Sequence, residues 1–152
     1  MTNFTTRFWS HVDKTETCWN WAGATTGRNG YGKITSGGKQ QVAHRVSYEM
    51  LTGETIPDGM FVDHICSNRL CVRPDHLRIV TRKQNSEHLT GPYKGNQTGY
   101  RGVEPRGDRF RASVRHNKKL YYLGTFDTPE EANEVAVAKR LELFTHNDKD
   151  TA

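Results

Sequence analysis

The sequence has little apolar material and no long hydrophobic run. Only 34% of its 152 residues are hydrophobic, which argues against one large core and favours two compact units, each needing an additional stabilising element. No apolar stretch approaches the length of a transmembrane helix, and residues 1–13 lack the apolar centre of a signal peptide. We therefore expect no membrane association and a cytoplasmic location.

Cysteine is scarce, and acidic residues are outnumbered. Three cysteines cannot all pair within one chain, and in a reducing cytoplasm clustered cysteine and histidine favour metal binding over disulfides. The formal net charge is +5, from 22 Lys and Arg against 17 Asp and Glu. This excess indicates a polyanionic partner such as nucleic acid, although many ordinary soluble proteins are mildly basic.

Hydrophobic patterns and turn residues predict an α+β protein. In the first part we expect short antiparallel strands at 31–34 and 40–43, a helix at 44–51, strands at 60–62 and 77–80, and a helix after Thr81. In the last part we expect strands at 100–104, 109–116 and 120–126, then a helix beginning at Thr128-Pro129. The predicted organisation is a domain at 1–91, a linker at 92–98, and a three-stranded antiparallel sheet packed on one helix at 99–152.

Metal-binding side chains are densest between residues 63 and 76. Cys66, Cys71 and His76 follow one another at similar intervals, and Cys18 can supply a fourth ligand, which uses every cysteine in the sequence. A structural zinc takes four such ligands in a tetrahedron. It would stabilise a glycine-rich region that buries little apolar surface. The alternative is a set of inert buried thiols, because Cys-x4-Cys-x4-His is a less familiar spacing than Cys-x-x-Cys.

Asp63 and His64 fall outside that zinc set, because adjacent strand residues point to opposite faces. His64 can act as a general base near neutral pH. Asp63 and Asn85 offer hard oxygen ligands for Mg²⁺ or Mn²⁺ shared with a phosphate. Phosphodiester hydrolysis needs a base to activate water and a divalent ion to stabilise the phosphate and the leaving 3′ oxygen. An Asp-His pair alone is more often structural, so it is the combination that favours a nuclease.

These residues resemble two nuclease families. Asp63-His64, His76 and Asn85 resemble the HNH (ββα-metal) motif of phage homing endonucleases, which implies His64 as the base and Asp63 and Asn85 as ligands of the catalytic ion. The run 64–85 also resembles the His-Cys box homing endonucleases, in which two cysteines, a histidine and an upstream cysteine hold zinc. The two comparisons agree on His64 and Asn85 and differ on Asp63 and His76.

The resemblance covers roughly residues 18–90, and it includes an arginine. Arg45 lies where such nucleases often carry an arginine that stabilises the scissile phosphate or the leaving group. An arginine on the surface of a helix is an equally good interpretation of Arg45. His44, directly before it, is interpreted as a buried histidine with satisfied hydrogen bonds.

Alternation along the predicted C-terminal strands separates two faces. Phe110, Ala112 and Val114 face one way, and Arg111, Ser113 and Arg115 face the other. Residues 99–123 contain seven Lys and Arg, whereas residues 127–150 contain seven Asp and Glu. This separation of charge predicts a basic sheet that docks on DNA and an acidic helix behind it.

The segment Tyr100-Arg101-Gly102-Val103 and the run 122–132 resemble the Apetala2/ethylene-response-factor DNA-binding domain, over about residues 98–146. The resemblance implies a three-stranded sheet in the major groove of double-stranded DNA. Tyr122 stands where the family usually has tryptophan, and Glu104 where arginine is common, so no sequence preference carries over. The predicted DNA-binding residues are Arg101, Arg106, Arg111, Ser113, Arg115 and Tyr122.

Together these features predict a site-recognising DNA endonuclease similar to phage- or intron-associated homing endonucleases. We expect 5′-phosphate and 3′-hydroxyl products, nicking by a monomer or double-strand cutting by a homodimer, and action in the host cytoplasm if the protein is phage-encoded. The competing class is a non-catalytic DNA-binding regulator that uses the zinc region as a scaffold. Such a scaffold would not require Asp63, His64 and Asn85. An RNA-directed nuclease fits the sheet module less well.

Overall fold

The chain divides into two compact units, residues 1–82 and 83–152. A computed structural model describes residues 3–27, 29–88, 91–147 and 150. Small sheets and helices are mixed along the chain, which confirms the predicted α+β class. Within the described ranges no helix is long and apolar enough to cross a bilayer. The predicted domain limits and the linker at 92–98 stay predictions.

The first unit is built from small antiparallel hairpins and short helices. Its elements are α1 (Phe4–Trp9), β1 (Val12–Lys14), β2 (Trp19–Trp21), β3 (Lys33–Ser36), β4 (Lys39–Val42), α2 (Ala43–Thr52), β5 (Phe61–His64), a 3₁₀ turn (Pro74–His76) and β6 (Leu77–Val80). The strands pair as β1–β2, β3–β4 and β5–β6. Helix α2 ends where the sequence predicted, because Gly53 adopts a left-handed φ of 72° and caps it.

An aromatic core holds the first unit together. Phe8 is fully buried, and its ring centroid lies 5.1 Å from that of Trp21. Ile34 and Val46 join the same cluster from β3 and α2. The core is small, as the low hydrophobic content predicted, so the hairpins farther from it need another source of stability.

The second unit is a three-stranded antiparallel sheet packed on one helix. Its elements are α3 (Arg82–Glu87, in this unit from residue 83), β7 (Val103–Arg106), β8 (Arg109–His116), β9 (Lys119–Phe126) and α4 (Pro129–Leu143), and the strand order is β7-β8-β9. The core is formed by Val103, Ala112, Val114, Ala132, Ala136 and Phe144. Thr128 and Glu131 form a capping box at the start of α4, where the sequence predicted a helix start.

The first strand of this sheet begins later than the sequence predicted, at Val103 and not at Tyr100. Gly102 has a left-handed φ of 82°, and a Cβ there would lie 2.4 Å from the Ser113 carbonyl oxygen. The side chain of Asn96 donates to the carbonyl oxygens of Tyr100 and Val103, at 3.2 and 2.9 Å. Residues 100–102 are therefore held as a loop, and the close approach to β8 requires glycine.

Gly32 is packed so tightly in the first unit that a larger side chain does not fit. A Cβ on Gly32 would lie 2.5 Å from the ring of Trp21 and 3.1 Å from the Cβ of Ala43. Because overpacking forces neighbouring side chains out of place, we expect Gly32→Ala to lower the free energy of unfolding by about 1–3 kcal/mol. Urea denaturation followed by tryptophan fluorescence measures this. Gly27→Ala is the control, since a Cβ there meets nothing within 4 Å; equal midpoints for the two variants would contradict the prediction.

Candidate functional site

Four side chains that are far apart in the sequence meet in the first unit. Cys18 precedes β2, Cys66 and Cys71 lie in the loop after β5, and His76 ends the 3₁₀ turn; their ligand atoms all lie within 4.8 Å of one another. The Nδ1 atom of His76 is 3.7 Å from the Cys18 Sγ and 3.6 Å from the Cys71 Sγ. A tetrahedral zinc with Zn–S of about 2.3 Å and Zn–N of about 2.0 Å separates such atoms by about 3.5 Å. The four residues could hold a zinc ion.

Main-chain pairing brings the loop after β5 against the first cysteine. The amide of Trp21 donates to the Leu70 carbonyl, and the amide of Val72 donates to the Trp19 carbonyl, both at 2.8 Å. The side chain of Asn68 adds a hydrogen bond of 2.8 Å to a β2 side chain. Residues 70–72 therefore pair with β2 like an additional short strand, which positions Cys71 independently of any metal.

Burial shifts the pKa values of two thiols in this cluster. It raises the pKa of the Cys66 thiol to about 12 and also raises the pKa of Cys71, and the neighbouring thiols add to both shifts. These two thiols are therefore protonated at neutral pH in the metal-free chain. Because cysteine binds a metal as thiolate, metal binding here would release protons.

His64 is buried at the end of β5, with 6% of its surface exposed. Its Nε2 atom lies 3.0 Å from the carbonyl oxygen of Cys71. Because a carbonyl can only accept a hydrogen bond, Nε2 carries the proton in this contact, and a neutral imidazole then has its lone pair on Nδ1. The carbonyl oxygen of Cys71, one of the four clustered residues, thus determines which nitrogen of His64 can accept a proton.

Two ring side chains flank His64. The His44 ring centroid lies 4.5 Å away at an interplanar angle of 70°, and the Tyr31 ring lies 6.0 Å away and nearly parallel, at 22°. Burial, together with the nearby charges of His64 and Arg45, lowers the pKa of His44 to about 3, so His44 is neutral at neutral pH. Sequence reasoning placed neither Tyr31 nor His44 at the site. The one available signal was the position of His44 directly before the candidate Arg45.

Asp63 is also buried, but its contact differs from that of His64. Its Oδ2 atom accepts hydrogen bonds from the Nε and Nη2 atoms of Arg78, both at 3.1 Å. The two residues lie opposite each other in the β5–β6 register. Sequence reasoning missed Arg78, although pairing the two predicted strands would have placed it across from Asp63. The ion pair gives the Asp63 carboxylate, which is 7% exposed, a charged partner on the neighbouring strand.

The remaining candidates of the nuclease motif lie on helices. Arg45 lies on α2 and donates through Nη1 to the carbonyl oxygen of Met60, at 3.3 Å. Asn85 lies half-buried on α3, in the second unit, whereas Asp63 belongs to the first. The joint role of Asp63 and Asn85 as metal ligands therefore stays a prediction.

In the second unit the predicted separation of faces is confirmed. Ala112 and Val114 are buried, whereas Leu120 and Tyr122 are 55% and 62% exposed. We call the exposed side the outer sheet face; it carries Glu104, Arg106, Arg109, Arg111, Ser113, Arg115, Leu120 and Tyr122. Arg111 pairs with Glu104, and Arg109 pairs with Asp127. Arg106 and Arg115 are exposed and make no ion pair within the described part of the chain.

Arg101 is placed differently from the other predicted DNA-binding residues. Its guanidinium donates to the carbonyl oxygens of Glu87 and Ser86, at 3.0 and 3.1 Å. It also lies over the ring of Phe144, 5.3 Å from the centroid. These contacts inside the second unit favour a structural role for Arg101, and DNA binding by this side chain stays a prediction.

Known proteins resemble much of this chain. Residues 41–87 match the family model described as HNH endonuclease, a stretch that includes Arg45, Asp63, His64 and Asn85. Protein 2.8 of Escherichia phage T7 is 37% identical over 86 residues, 55% of this chain and 56% of that protein. Protein 7.7 of the same phage is 39% identical over 82 residues, 54% of this chain and 60% of that protein. The uncharacterized HNH endonuclease L560 of Acanthamoeba polyphaga mimivirus is 30% identical over 118 residues, 78% of this chain and 60% of that protein.

The chain spans 56% to 60% of the length of these curated relatives. No solved structure matches it. The descriptions of these matches name neither the homing type nor an Apetala2-like domain, and both stay predictions. The family match covers strand β5, which carries Asp63 and His64. The chain therefore carries a domain of the HNH endonuclease family at residues 41–87.

Proposed function

We propose that this protein is a metal-dependent endonuclease that recognises a site on double-stranded DNA and cuts it by hydrolysis. The observation that carries the proposal is the contact between the Nε2 atom of His64 and the Cys71 carbonyl, within the HNH domain. A general base needs a defined nitrogen with a lone pair and a fixed ring. A histidine that only fills a scaffold needs neither.

In the proposed reaction, the Nδ1 atom of His64 accepts a proton from a water molecule, and the water oxygen attacks the phosphorus atom. The bond from phosphorus to the 3′ oxygen breaks, the 3′ oxygen takes up a proton, and 5′-phosphate and 3′-hydroxyl ends result. Asp63 and Asn85 would hold Mg²⁺ or Mn²⁺, whose charge stabilises the phosphate and the leaving oxygen. Arg45 would add a positive charge beside the scissile phosphate.

The four-residue cluster is proposed to hold a structural zinc. Three thiols and one imidazole in tetrahedral spacing suit zinc, and the set leaves no open position for a substrate. The ion would connect the loop after β5 to the segment before β2, in a unit with a small core. Because Cys71 is one of the four residues, the zinc would also support the Cys71 carbonyl that orients His64.

The outer sheet face is proposed to dock on double-stranded DNA. Arg106 and Arg115 present guanidinium groups that no carboxylate of the described chain neutralises, which suits contacts to the phosphate backbone. The Apetala2-like resemblance supports major-groove docking. Relatives from phage T7 support a phage-encoded protein acting in host cytoplasm. A monomer would nick DNA, and a homodimer of the homing type would cut both strands.

Replacing one zinc ligand tests the structural metal. We expect Cys66→Ser to lose the single equivalent of bound zinc and to melt at a lower temperature, because structural metal binding contributes free energy of folding. Elemental analysis after dialysis and thermal melting measure the two effects. The control is Asp75→Ser, next to His76 but with a side chain 76% exposed. Stoichiometric zinc in Cys66→Ser would contradict the assignment.

Removing the imidazole of His64 tests catalysis. We expect His64→Ala to slow the Mg²⁺-dependent nicking of supercoiled plasmid by about 100-fold or more, with zinc content and DNA affinity unchanged. His11→Ala, an exposed histidine of the same unit, should cut at the normal rate. Undiminished cutting by His64→Ala would remove the base assignment. Failure of the unaltered protein to cut DNA with any divalent ion, while still binding it, would favour the non-catalytic regulator.

The outer sheet face is tested by salt dependence. We expect Arg115→Ala to weaken DNA binding uniformly across sequences and to reduce the slope of log K against log salt by about 1, because one phosphate contact releases about one counterion. Fluorescence anisotropy at several salt concentrations measures the slope. Lys94→Ala, an exposed cation outside the sheet, should leave it unchanged. Identical slopes for Arg115→Ala and the unaltered protein would exclude the docking role.

A further inference from the structure

The end of helix α3 is held by an arginine from the loop before β7. The guanidinium of Arg101 donates to the carbonyl oxygens of Glu87 and Ser86, at 3.0 and 3.1 Å. The last carbonyls of a helix have no partner inside the helix, and a cation near them complements the partial negative charge there. Phe144 covers the guanidinium from one side, 5.3 Å away. Arg101 therefore fixes the backbone at the end of α3.

A second set of contacts holds the same helix through the side chain of Glu87, which is 5% exposed. Its Oε2 atom accepts hydrogen bonds from the amide and the hydroxyl of Thr145, both at 3.0 Å. Its Oε1 atom lies 3.3 Å from the Lys83 Nζ and 3.4 Å from the His116 Nε2. One buried carboxylate thus connects α3 to the end of β8 and to the segment after α4. We call Arg101, Glu87 and Thr145 the α3 anchor.

The anchor lies next to the candidate ligand of the catalytic metal. Asn85 immediately precedes Ser86, and its own side chain makes no hydrogen bond to any part of the chain that the structure describes. The anchor therefore fixes the peptide beside Asn85 and leaves the Asn85 amide available. Groups that orient a metal ligand in this way commonly change metal affinity by about 10–100-fold when they are removed.

We propose that the α3 anchor positions Asn85 as a ligand for the catalytic metal. Arg101, Glu87 and Thr145 are positioning residues in this proposal, which rests on the proposed role of Asn85 as a ligand. Arg101, which the sequence predicted to bind DNA, would thus position the metal ligand Asn85. Arg106 and Arg115 would then make the DNA contacts in place of Arg101.

The test compares two arginine variants of the 152-residue chain, each purified in the presence of zinc. Arg101→Met keeps the apolar stem beside Phe144 and removes both donors to α3. We expect it to weaken Mn²⁺ binding, measured by electron paramagnetic resonance titration, by about tenfold, and to leave DNA affinity in EDTA unchanged. Arg106→Met, on the outer sheet face, should do the opposite: weaker DNA binding and unchanged Mn²⁺ affinity. Unchanged Mn²⁺ affinity in Arg101→Met would overturn the proposal.

Cleavage kinetics separate positioning from loss of folded protein. For Arg101→Met we expect the Mn²⁺ concentration for half-maximal cutting to rise about tenfold, with the rate at saturating Mn²⁺ within about twofold of normal. A purely structural defect would lower the rate at every Mn²⁺ concentration, and that result would also overturn the proposal. Thr145→Val, which loses one donor and keeps the shape, should shift the Mn²⁺ requirement in the same direction by a smaller factor. An unchanged Mn²⁺ concentration for half-maximal cutting in Thr145→Val would contradict the proposal.

Asn85→Ala distinguishes failure of this inference from failure of the proposed function. If Asn85→Ala leaves Mn²⁺ affinity unchanged, Asn85 is not a ligand, and the proposed metal site fails together with the anchor. If Asn85→Ala weakens Mn²⁺ binding and Arg101→Met does not, the metal site stands and only the anchor is wrong. Parallel weakening in both variants supports the anchor.

Discussion

The hydrogen bond between His64 and the backbone of Cys71 is the contact on which the proposed chemistry of the first unit depends. Cys71 contributes its sulfur to the four-residue cluster and its carbonyl oxygen to the imidazole. The position of that carbonyl follows from the pairing of the loop with β2. A disturbance of the cluster would therefore reach His64 through a single residue, without any change in the rings that flank it.

More than one kind of interaction orders the loop that carries Cys71. The first unit has a compact aromatic core around Phe8 and Trp21, and a smaller cluster around Val62 and Leu77. Val72, in the loop between β5 and the 3₁₀ turn, is buried in the aromatic core, and Leu70 packs against that core, so hydrophobic burial holds the second half of the loop. Backbone pairing with β2 and the proposed metal ligation would add to that burial, and both involve Cys71.

Several features could be predicted from the sequence because they depend on local or counting arguments. Three cysteines and one suitably spaced histidine left one ligand set for a zinc, and the structure brings those four side chains together. Helix α4 was predictable because its capping box, its N-terminal proline and its first-turn acids are contiguous in the sequence. The two faces of the C-terminal sheet followed from alternation, since the period of a strand is two residues.

Other features depend on contacts between distant residues, and sequence reasoning missed or misplaced them. The contact of the Arg101 guanidinium with the end of α3 was not foreseen, and DNA binding by this side chain stays a prediction. Arg78 reaches Asp63 only through the register of the β5–β6 hairpin. Residues 100–102 have a strand-like pattern, yet the side chain of Asn96 and the close approach of Gly102 to Ser113 hold them as a loop.

The sequence by itself determined the chemistry that is present: which side chains can bind a soft metal, which can move a proton, and which strands are basic. Only the tertiary structure decided how that chemistry is oriented. It assigned the proton of His64 to Nε2, made His44 a neutral neighbour through burial, and directed Arg101 to a helix end. The physical reason is that side-chain identity is a local property, whereas a hydrogen-bond partner, a burial state and a charge environment arise from residues that folding brings together.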